Sequence, residues 1–449
     1  MIASPLDSAL LGPLLSDPET AALFSDDAAI RAMLDFEVAL ATAQERVGLI
    51  PRGSAARIAA AATSLRPDWK RLGRGAAAAG HPVVALVRGL RQAAGPAADY
   101  VHRGATAQDV IDSALALRLS AAFDRFDARL ASLINELKRH AERFRNAVMA
   151  GRTRMQQAVP ITFGLRAAGW LLPLARHRRR LAELRPRTLA VQFGGAAGTL
   201  GALGSQGVRV MDELALDLGL EAPPTPWHSQ RDGFAEAAGW MALVSGSLAK
   251  MGHDICLMAQ SEVGEVRDGS AGTSSAMPHK SNPVRSETLV TLGRANANLL
   301  ATMHQALIHE NERSGSAWTL EWLTLPQMAV ITGASLRIGL AIAGSLEADQ
   351  SRMLRNVGRS QDLLLAEAAA VCLAGSRGMA EARRTVAAAS RRARESGQGL
   401  IGILERETRA DMDWEALRDP SRWLGSASAL IDRALAAAAQ APARTTHAG

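Results

Sequence analysis

The chain has 449 residues, of which 51 are Lys or Arg and 44 are Asp or Glu, giving a formal net charge of +7. A hydrophobic content of 48% excludes a largely disordered chain. The two cysteines, Cys256 and Cys372, are too few for a disulfide framework and form no Cys-x-x-Cys pair for zinc. The basic runs are short and lack interleaved aromatic residues, so no nucleic-acid partner is expected.

Helices are predicted along the whole chain, because aromatic residues make up only 4% of it and alanine runs are frequent. The stretch 105–150 contains neither Pro nor Gly, and apolar residues recur every three or four positions over 123–148. This spacing predicts one long helix. The proline-free stretches 284–325 and 327–419 predict more helices of unusual length, packed as a near-parallel bundle. No alternation typical of a β-hairpin is evident.

The predicted organisation is a small helical domain at 1–104, a central long-helix bundle at 105–346 and a helical C-terminal domain at 347–449. The apolar stretch 328–346 is interrupted by Arg337 and by recurring glycines, which favours a buried bundle helix over a membrane span. The N-terminus lacks the basic start of a secretory signal, so we expect a cytoplasmic protein without a membrane partner.

One segment has the composition of a catalytic loop. Residues 272–283 read GTSSAMPHKSNP and lie within the Gly-, Ser- and Pro-rich stretch 268–283, between two long helical segments. The segment includes Lys280, one of only four lysines. Ser and Gly allow its first half to move, whereas the prolines stiffen the second half, which suits a lid over a substrate. The alternative from composition alone is a solvated Ser-rich loop.

The run SSAMPHKSNP resembles the signature loop of the fumarase/aspartase superfamily. HRGATAQD (102–109) and GRTRMQQAVP (151–160) are similar to the first and second signature regions of that superfamily, in the expected order. The resemblance covers most of the chain and is weakest after about residue 350. It implies an all-α, three-domain fold with a central long-helix bundle, and a homotetramer in which segments of three subunits build each active site.

Within the superfamily, three further segments resemble the bacterial 3-carboxy-cis,cis-muconate cycloisomerases. They are QFGGAAGTLGALG (192–204), PWHSQRD (226–232) and NERSGSAWTLEWLTLPQM (311–328). The resemblance implies a small polycarboxylate substrate and neither a metal nor an organic cofactor. In the implied reaction a substrate carboxylate adds across a C=C bond, and the resulting aci-carboxylate is protonated to give 4-carboxymuconolactone in protocatechuate breakdown.

The resemblance assigns the general acid to Ser274, with Ser275 as the alternative. A serine can donate this proton only if its alkoxide is stabilised, and Lys280 is a cation six positions away. Lys280 and Asn282 are expected to bind a substrate carboxylate, since an ammonium offers a charge and an amide offers two donors. Arg313 is a similar candidate, because a guanidinium can grip a carboxylate with two nitrogens.

Further substrate-binding candidates come from the signature regions. His102, Thr106 and Gln108 lie in the first region and Gln156 in the second. His81 resembles a histidine that adenylosuccinate lyases use near the substrate, although a packed or capping histidine is the alternative reading. The lyases have Thr-Ser where this chain has Thr106 followed by alanine, so one hydroxyl contact is missing.

Arg154 is the more informative departure. Many lyases have a histidine here, within Thr-His-x-Gln, that serves in acid–base chemistry. Arginine stays protonated at any working pH, so Arg154 cannot replace that histidine but can bind a third carboxylate. This favours a tricarboxylate substrate over a C–N lyase that releases fumarate, similar to adenylosuccinate lyase. A third reading is a non-catalytic scaffold of the kind seen in lens crystallins, and the intact loop with Ser274, Lys280 and Asn282 argues against it.

Overall fold

The computed structural model describes residues 4–269, 272–273, 277 and 280–440, and helices account for most of them. The prediction of an all-α fold class is therefore confirmed. The chain divides into two compact units, each assembled from three segments. The first comprises Met1–Arg129, His177–Gly246 and Thr291–Arg337, and the second comprises Leu130–Arg176, Ser247–Val290 and Ile338–Gly449. The division into domains at 1–104, 105–346 and 347–449 stays a prediction.

The N-terminal helices begin where side chains cap them. Asp17 accepts a hydrogen bond from the backbone of Thr20, and Ser25 accepts one from Ala28, each satisfying an amide that the first helical turn leaves free. These helices are α1 (Gly12–Leu15), α2 (Pro18–Leu23), α3 (Asp26–Arg46), α4 (Ser54–Ser64), α5 (Trp69–Ala79) and α6 (Val83–Ala94), followed by a 3-10 turn at Gly95–Tyr100.

The predicted long helices are present. They are α7 (Ala107–Arg143), α8 (Phe163–Thr188), α10 (Asp232–Met258), α11 (Val284–Gln305) and α12 (Ser316–Ser345), with the shorter α9 (Gly207–Leu218) between α8 and α10. Among the described residues, α12 alone is long and apolar enough to cross a membrane by length and composition. Because 72% of its most apolar 18 residues are buried in the protein, the prediction of a buried helix there is confirmed.

Two helix boundaries differ from the prediction. The helix predicted through position 148 ends at Arg143, because the carbonyl of Phe144 accepts the amide of Gly164 instead of continuing the helix. The proline-free stretch after α12 forms several short helices. Gly378 and Gly397 adopt positive φ and end two of them. These helices are α13 (Gln350–Gly358), α14 (Ala366–Arg377), α15 (Met379–Ser396), α16 (Leu400–Thr408) and α17 (Trp414–Arg418). Helix α18 (Ala427–Ala439) follows Pro420.

A β-hairpin that the sequence analysis did not anticipate occupies the second signature region. Strands β1 (Val148–Thr153) and β2 (Gln156–Thr162) pair antiparallel, with a bulge between Ala150 and Arg152. The bulge disrupts the two-residue alternation, and the turn lacks the Asn-Gly signal of such hairpins, so the pattern is hard to read. The other described strands are short: β3 (Val266–Asp268) pairs with β6 (Leu346–Ala348), and β4 (Gly272–Thr273) pairs with β5 (Ser281–Asn282).

The first unit contains a buried ionic cluster that joins helices α7 and α12 to the residue immediately before α10. Arg231 lies 2.6 Å from Asp112 and 2.5 Å from Glu321, and all three side chains are about 1% exposed or less. Burial raises the pKa of Asp112 despite the attraction of Arg231. Burial also opposes ionisation of Glu321, but hydrogen bonds and charge from Arg231 hold the pKa of that carboxyl below its usual value. One guanidinium thus pairs with two carboxyls that water cannot reach.

Replacing Arg231 by Met should destabilise the protein by about 3–5 kcal/mol, because two buried carboxyls lose their counter-charge. Urea denaturation would measure the loss. Arg187→Met is the matched control: it removes an arginine from a pair with Glu236 whose side chains are 58% and 41% exposed, and such pairs contribute about 1 kcal/mol or less. Equal losses in the two variants would contradict this account.

Candidate active site

The carboxylate of Asp109 organises the first signature region. Its oxygens accept the backbone amides of Thr106 at 2.9 Å, Gly194 at 3.0 Å and Gly195 at 2.9 Å. The imidazole Nε2 of His228 donates to the same carboxylate at 2.7 Å. Asp109 is fully buried, so each of these donors replaces a water that an ionised carboxyl requires. This carboxylate thereby joins three segments: the start of α7, the Gly-rich turn that contains Gly194 and Gly195, and PWHSQRD.

The contact between Asp109 and Thr106 is half of a capping box. In that motif the third residue of a helix accepts the amide of the N-cap residue, while the N-cap hydroxyl usually returns to the helix. Here the Thr106 hydroxyl instead accepts a hydrogen bond from Arg313 at 3.0 Å. The capping geometry therefore presents the Thr106 oxygen to a cation.

Arg313 is fixed by three acceptors. Besides Thr106, it donates to the carbonyl oxygens of Gly195 at 3.3 Å and Ala196 at 3.0 Å. A side chain at position 194 or 195 would collide with neighbouring atoms, since a Cβ on Gly194 would lie 2.8 Å from His228, and one on Gly195 would lie 2.9 Å from the Gly104 carbonyl. The glycines are thus needed for the close approach that holds Arg313. Its Nε is buried without a partner among the described residues.

A cleft of about 530 Å³ in the first unit brings several predicted residues together. His81, His102 and Thr106 line it, together with Arg88 and Arg91 of α6. Burial lowers the pKa of His81, and the charges of Arg313 and His102 lower it further. The cleft therefore combines cationic side chains with a histidine that favours its neutral form, a suitable surface for an anion.

Gln108 does not line this cleft. It is fully buried, and its amide donates to the backbone carbonyl of His228 at 2.8 Å. Its own Oε1 has no partner among the described residues. Within this chain the side chain supports the segment that carries His228, and a role in binding substrate stays a prediction.

The second unit places Lys280 and Asn282 on one cleft of about 790 Å³. Three arginines line the same cleft: Arg267, Arg352 and Arg355. The guanidinium of Arg352 is occupied, because it donates to the carbonyl oxygens that follow α10, including that of Val263 at 2.9 Å. The predicted general acid Ser274, like Ser275, lies outside the described residues.

Arg154 and Gln156 lie at the tip of the β1–β2 hairpin, also in the second unit, and are exposed. Arg154 and Met155 form the turn with φ of +50° and +67°, a conformation that costs energy for residues other than glycine. Arg154 has no ion pair or hydrogen bond in the described part of the chain. Its guanidinium is therefore free to bind a ligand.

Strand β1 is anchored close to this turn. Arg152 forms a bidentate pair with Glu265 at 2.7 and 2.8 Å, and Asn356 donates to the same carboxylate at 2.9 Å. The Glu265 side chain is fully buried. Strand β1, the segment before β3 and helix α13 therefore hold one another through a single carboxylate.

Sequence reasoning missed Asp109 and His228 as organisers of the site. Both stand in segments that were singled out, HRGATAQD and PWHSQRD, and Thr-x-x-Asp before an apolar run is a capping-box signal. Among the described residues, no group of three His, Cys, Asp or Glu side chains could hold a metal ion. The absence of a metal or cofactor from the reaction stays a prediction.

Comparison with known proteins gives relatives that span the chain. The sequence profile of the lyase family matches residues 16–296. The 3-carboxy-cis,cis-muconate cycloisomerase of Pseudomonas aeruginosa is 42% identical over 92% of this chain and 93% of its own length. The nitrosuccinate lyase of Streptomyces davaonensis is 35% identical over 97% of this chain and 96% of its own length.

A solved structure agrees in fold along the same length. The 3-carboxy-cis,cis-muconate lactonizing enzyme of Pseudomonas putida superposes with a TM-score of 0.92 at 38% identity, covering 97% of this chain and all of that one. The family profile covers more than half of the chain, and the relatives cover almost all of it. The chain therefore belongs to the lyase family of the fumarase/aspartase superfamily, as the SSAMPHKSNP segment predicted.

Proposed function

We propose that this protein is a 3-carboxy-cis,cis-muconate cycloisomerase, which closes the tricarboxylate to 4-carboxymuconolactone in protocatechuate breakdown. The observation that carries the proposal is the near full-length similarity to the enzyme of that name from Pseudomonas aeruginosa. The side chains support it, because His81 and His102 line one cleft with two arginines, and Lys280 lines the other with three arginines among acidic residues. A substrate with three carboxylates requires such surroundings.

The proposed chemistry needs one proton donor. An oxygen of a substrate carboxylate bonds to an alkene carbon, and the π electron pair moves to the neighbouring carbon, next to a second carboxylate. That carbanion is stabilised as its aci-carboxylate until Ser274 delivers a proton to the carbon. Lys280 stabilises the resulting serine alkoxide, which then regains a proton from solvent.

The remaining residues bind the carboxylates. Lys280 and Asn282 line one cleft, His81, His102 and Thr106 line another with Arg313 bonded to Thr106, and Arg154 and Gln156 are exposed on the hairpin tip. We propose that a cytoplasmic homotetramer combines these groups, with segments of three subunits forming each active site. The exposed tip, which holds a free guanidinium on a strained turn, is supporting evidence for contact with another subunit's site.

A second candidate is a lyase that cleaves a C–N bond. The similarity to nitrosuccinate lyase, at 35% identity over nearly the whole chain, favours it. Arg154 speaks against it, because it stands where many lyases carry an acid–base histidine and cannot titrate at working pH. Fumarate release from an amino-linked succinate would decide for the lyase.

Purified protein mixed with 3-carboxy-cis,cis-muconate should cause rapid loss of the conjugated-diene absorbance of this compound. Ring closure removes one of the two conjugated double bonds, so ultraviolet absorbance follows turnover directly. Adenylosuccinate and argininosuccinate, tested in parallel for fumarate, should stay unchanged. An inert muconate together with fumarate from either control would replace the cycloisomerase by a lyase.

Replacing Ser274 by Ala should reduce turnover by about 10²–10⁴-fold, the usual contribution of a positioned proton donor. The oligomer, measured by gel filtration with light scattering, should be unchanged because one hydroxyl is removed. Ser275→Ala is the matched control and should keep most of the activity. Loss confined to the Ser275 variant would transfer the acid role to that residue.

Arg154→His should raise KM for the tricarboxylate by about tenfold or more with little change in kcat, because a charge-assisted, bidentate contact is lost. Histidine is tolerated at positive φ better than most side chains, so the turn should persist. Steady-state kinetics would measure both constants. Met155→His places the same ring on the next residue and serves as control; an unchanged KM in Arg154→His would remove the carboxylate role.

A further inference from the structure

A buried carboxylate that the reaction scheme does not use lies behind the first-unit cleft. Glu37, on α3, has a side chain only 1% exposed, and its Oε1 is 2.6 Å from Nδ1 of His102. Its second oxygen, Oε2, is buried and has no hydrogen-bond partner in the described part of the chain. A carboxylate so poorly solvated is costly unless a positive charge lies beside it.

His102 is the group that can supply this charge. Burial alone lowers the pKa of His102, but the charge and hydrogen bond of Glu37, helped by Asp109, outweigh burial and leave that pKa above its ordinary value. The positive charges that face the ring act in the opposite direction: Arg91 lowers the pKa of His102, and His81 lies near enough to interact with it.

The backbone conformation of His102 and its contact with Glu37 also determine how the ring lies in the cleft. Its backbone adopts φ of +61°, a strained conformation for a residue other than glycine, and its side chain is 17% exposed while lining the cleft. Since Nδ1 is committed to Glu37, Nε2 is the ring nitrogen left for a ligand. Helix α3 thereby determines which nitrogen of His102 serves the cleft.

We propose that Glu37 is a positioning residue that keeps His102 as an imidazolium, so that the Nε2–H of His102 binds one carboxylate of the substrate. The proposal rests on the proposed function for the identity of the substrate, but binding of any polycarboxylate to this cleft would use the same contact. The neutral His81 beside it adds a hydrogen-bonding group without a second positive charge. Glu37 itself touches no substrate.

The pH dependence follows from the direction of the shift. The His102 cation is present below its raised pKa and is lost as the pH rises through that value, so polycarboxylate affinity should fall on the alkaline side. In Glu37→Gln the burial of the ring and the charge of Arg91 are opposed by Asp109 alone. The pKa of His102 should then fall, and affinity should be lost at lower pH.

The first measurement does not need turnover. Full-length protein labelled with ¹³C at histidine Cε1 is titrated by NMR, and the His102 resonance is assigned by its absence in His102→Gln. In Glu37→Gln the midpoint of this resonance should fall by about one pH unit or more, as expected when an adjacent opposite charge is removed. Asp35→Asn removes a carboxylate from an exposed position on the same helix and should leave the midpoint in place. An unchanged midpoint in Glu37→Gln overturns the proposal.

The second measurement uses calorimetry with tricarballylate, a tricarboxylate that has no double bond to react. Glu37→Gln should weaken its binding by about tenfold near pH 7.5 and have no further effect in the His102→Gln background. Equal weakening in both backgrounds would mean a merely structural role and overturn the proposal. If the protein does not convert 3-carboxy-cis,cis-muconate but these two results hold, the proposed function fails and the role of Glu37 stands.

If Glu37→Gln does not fold, wild type and His102→Gln still decide. Alkaline weakening of tricarballylate binding should be present in the wild type and absent in His102→Gln, while Glu37→Asp retains it. The same alkaline weakening in His102→Gln would overturn the proposal.

Discussion

The arrangement of the first unit's site depends on the fully buried carboxylate of Asp109. Backbone amides from the start of α7 and from the Gly-rich turn meet there with an imidazole from PWHSQRD. Because an ionised carboxyl in the interior must be satisfied by donors, the three segments cannot separate without leaving it unpaired. Asp109 holds the backbone of Thr106 and Gly195, and these two residues accept hydrogen bonds from Arg313. The position of the Arg313 guanidinium therefore depends on Asp109.

The buried acidic side chains named above lie beside at least one basic side chain. Asp112 and Glu321 share Arg231, and Glu37 faces His102. The net charge of +7 does not predict this pairing, because the energy of a buried charge depends on its immediate neighbours in low-dielectric surroundings. The cations left at the cleft surface, chiefly arginines of α6, are those that a polycarboxylate can reach.

The second unit also contains a buried carboxylate that is satisfied by side-chain donors, and there it anchors the β1–β2 hairpin. Glu265 binds Arg152 and Asn356, which anchors strand β1 two residues before Arg154 at the exposed tip. This anchor and the strained turn together determine where Arg154 is presented. The carboxylate-binding role that we propose for Arg154 would thus rest on backbone geometry that ordinary propensity does not favour, a pattern common at binding sites.

The sequence by itself determined the helical class, the family and most of the residues considered for the site. Helix periodicity and the absence of proline act locally, so the long helices could be predicted, and short motifs identify the family without any tertiary knowledge. The hairpin at 148–162 was missed because a bulge and a turn without glycine remove its local signal. The three-domain division and the catalytic role of Ser274 stay predictions.

Only the tertiary structure decided which of these residues meet. Arg313 reaches Thr106 across 207 positions of sequence, and Glu37 reaches His102 across 65. Such pairings are set by how helices pack, and the energy of a buried ion pair depends on desolvation, which no residue pattern states. The roles of Asp109, Glu37 and Arg231 therefore became visible only when their burial and their partners were known.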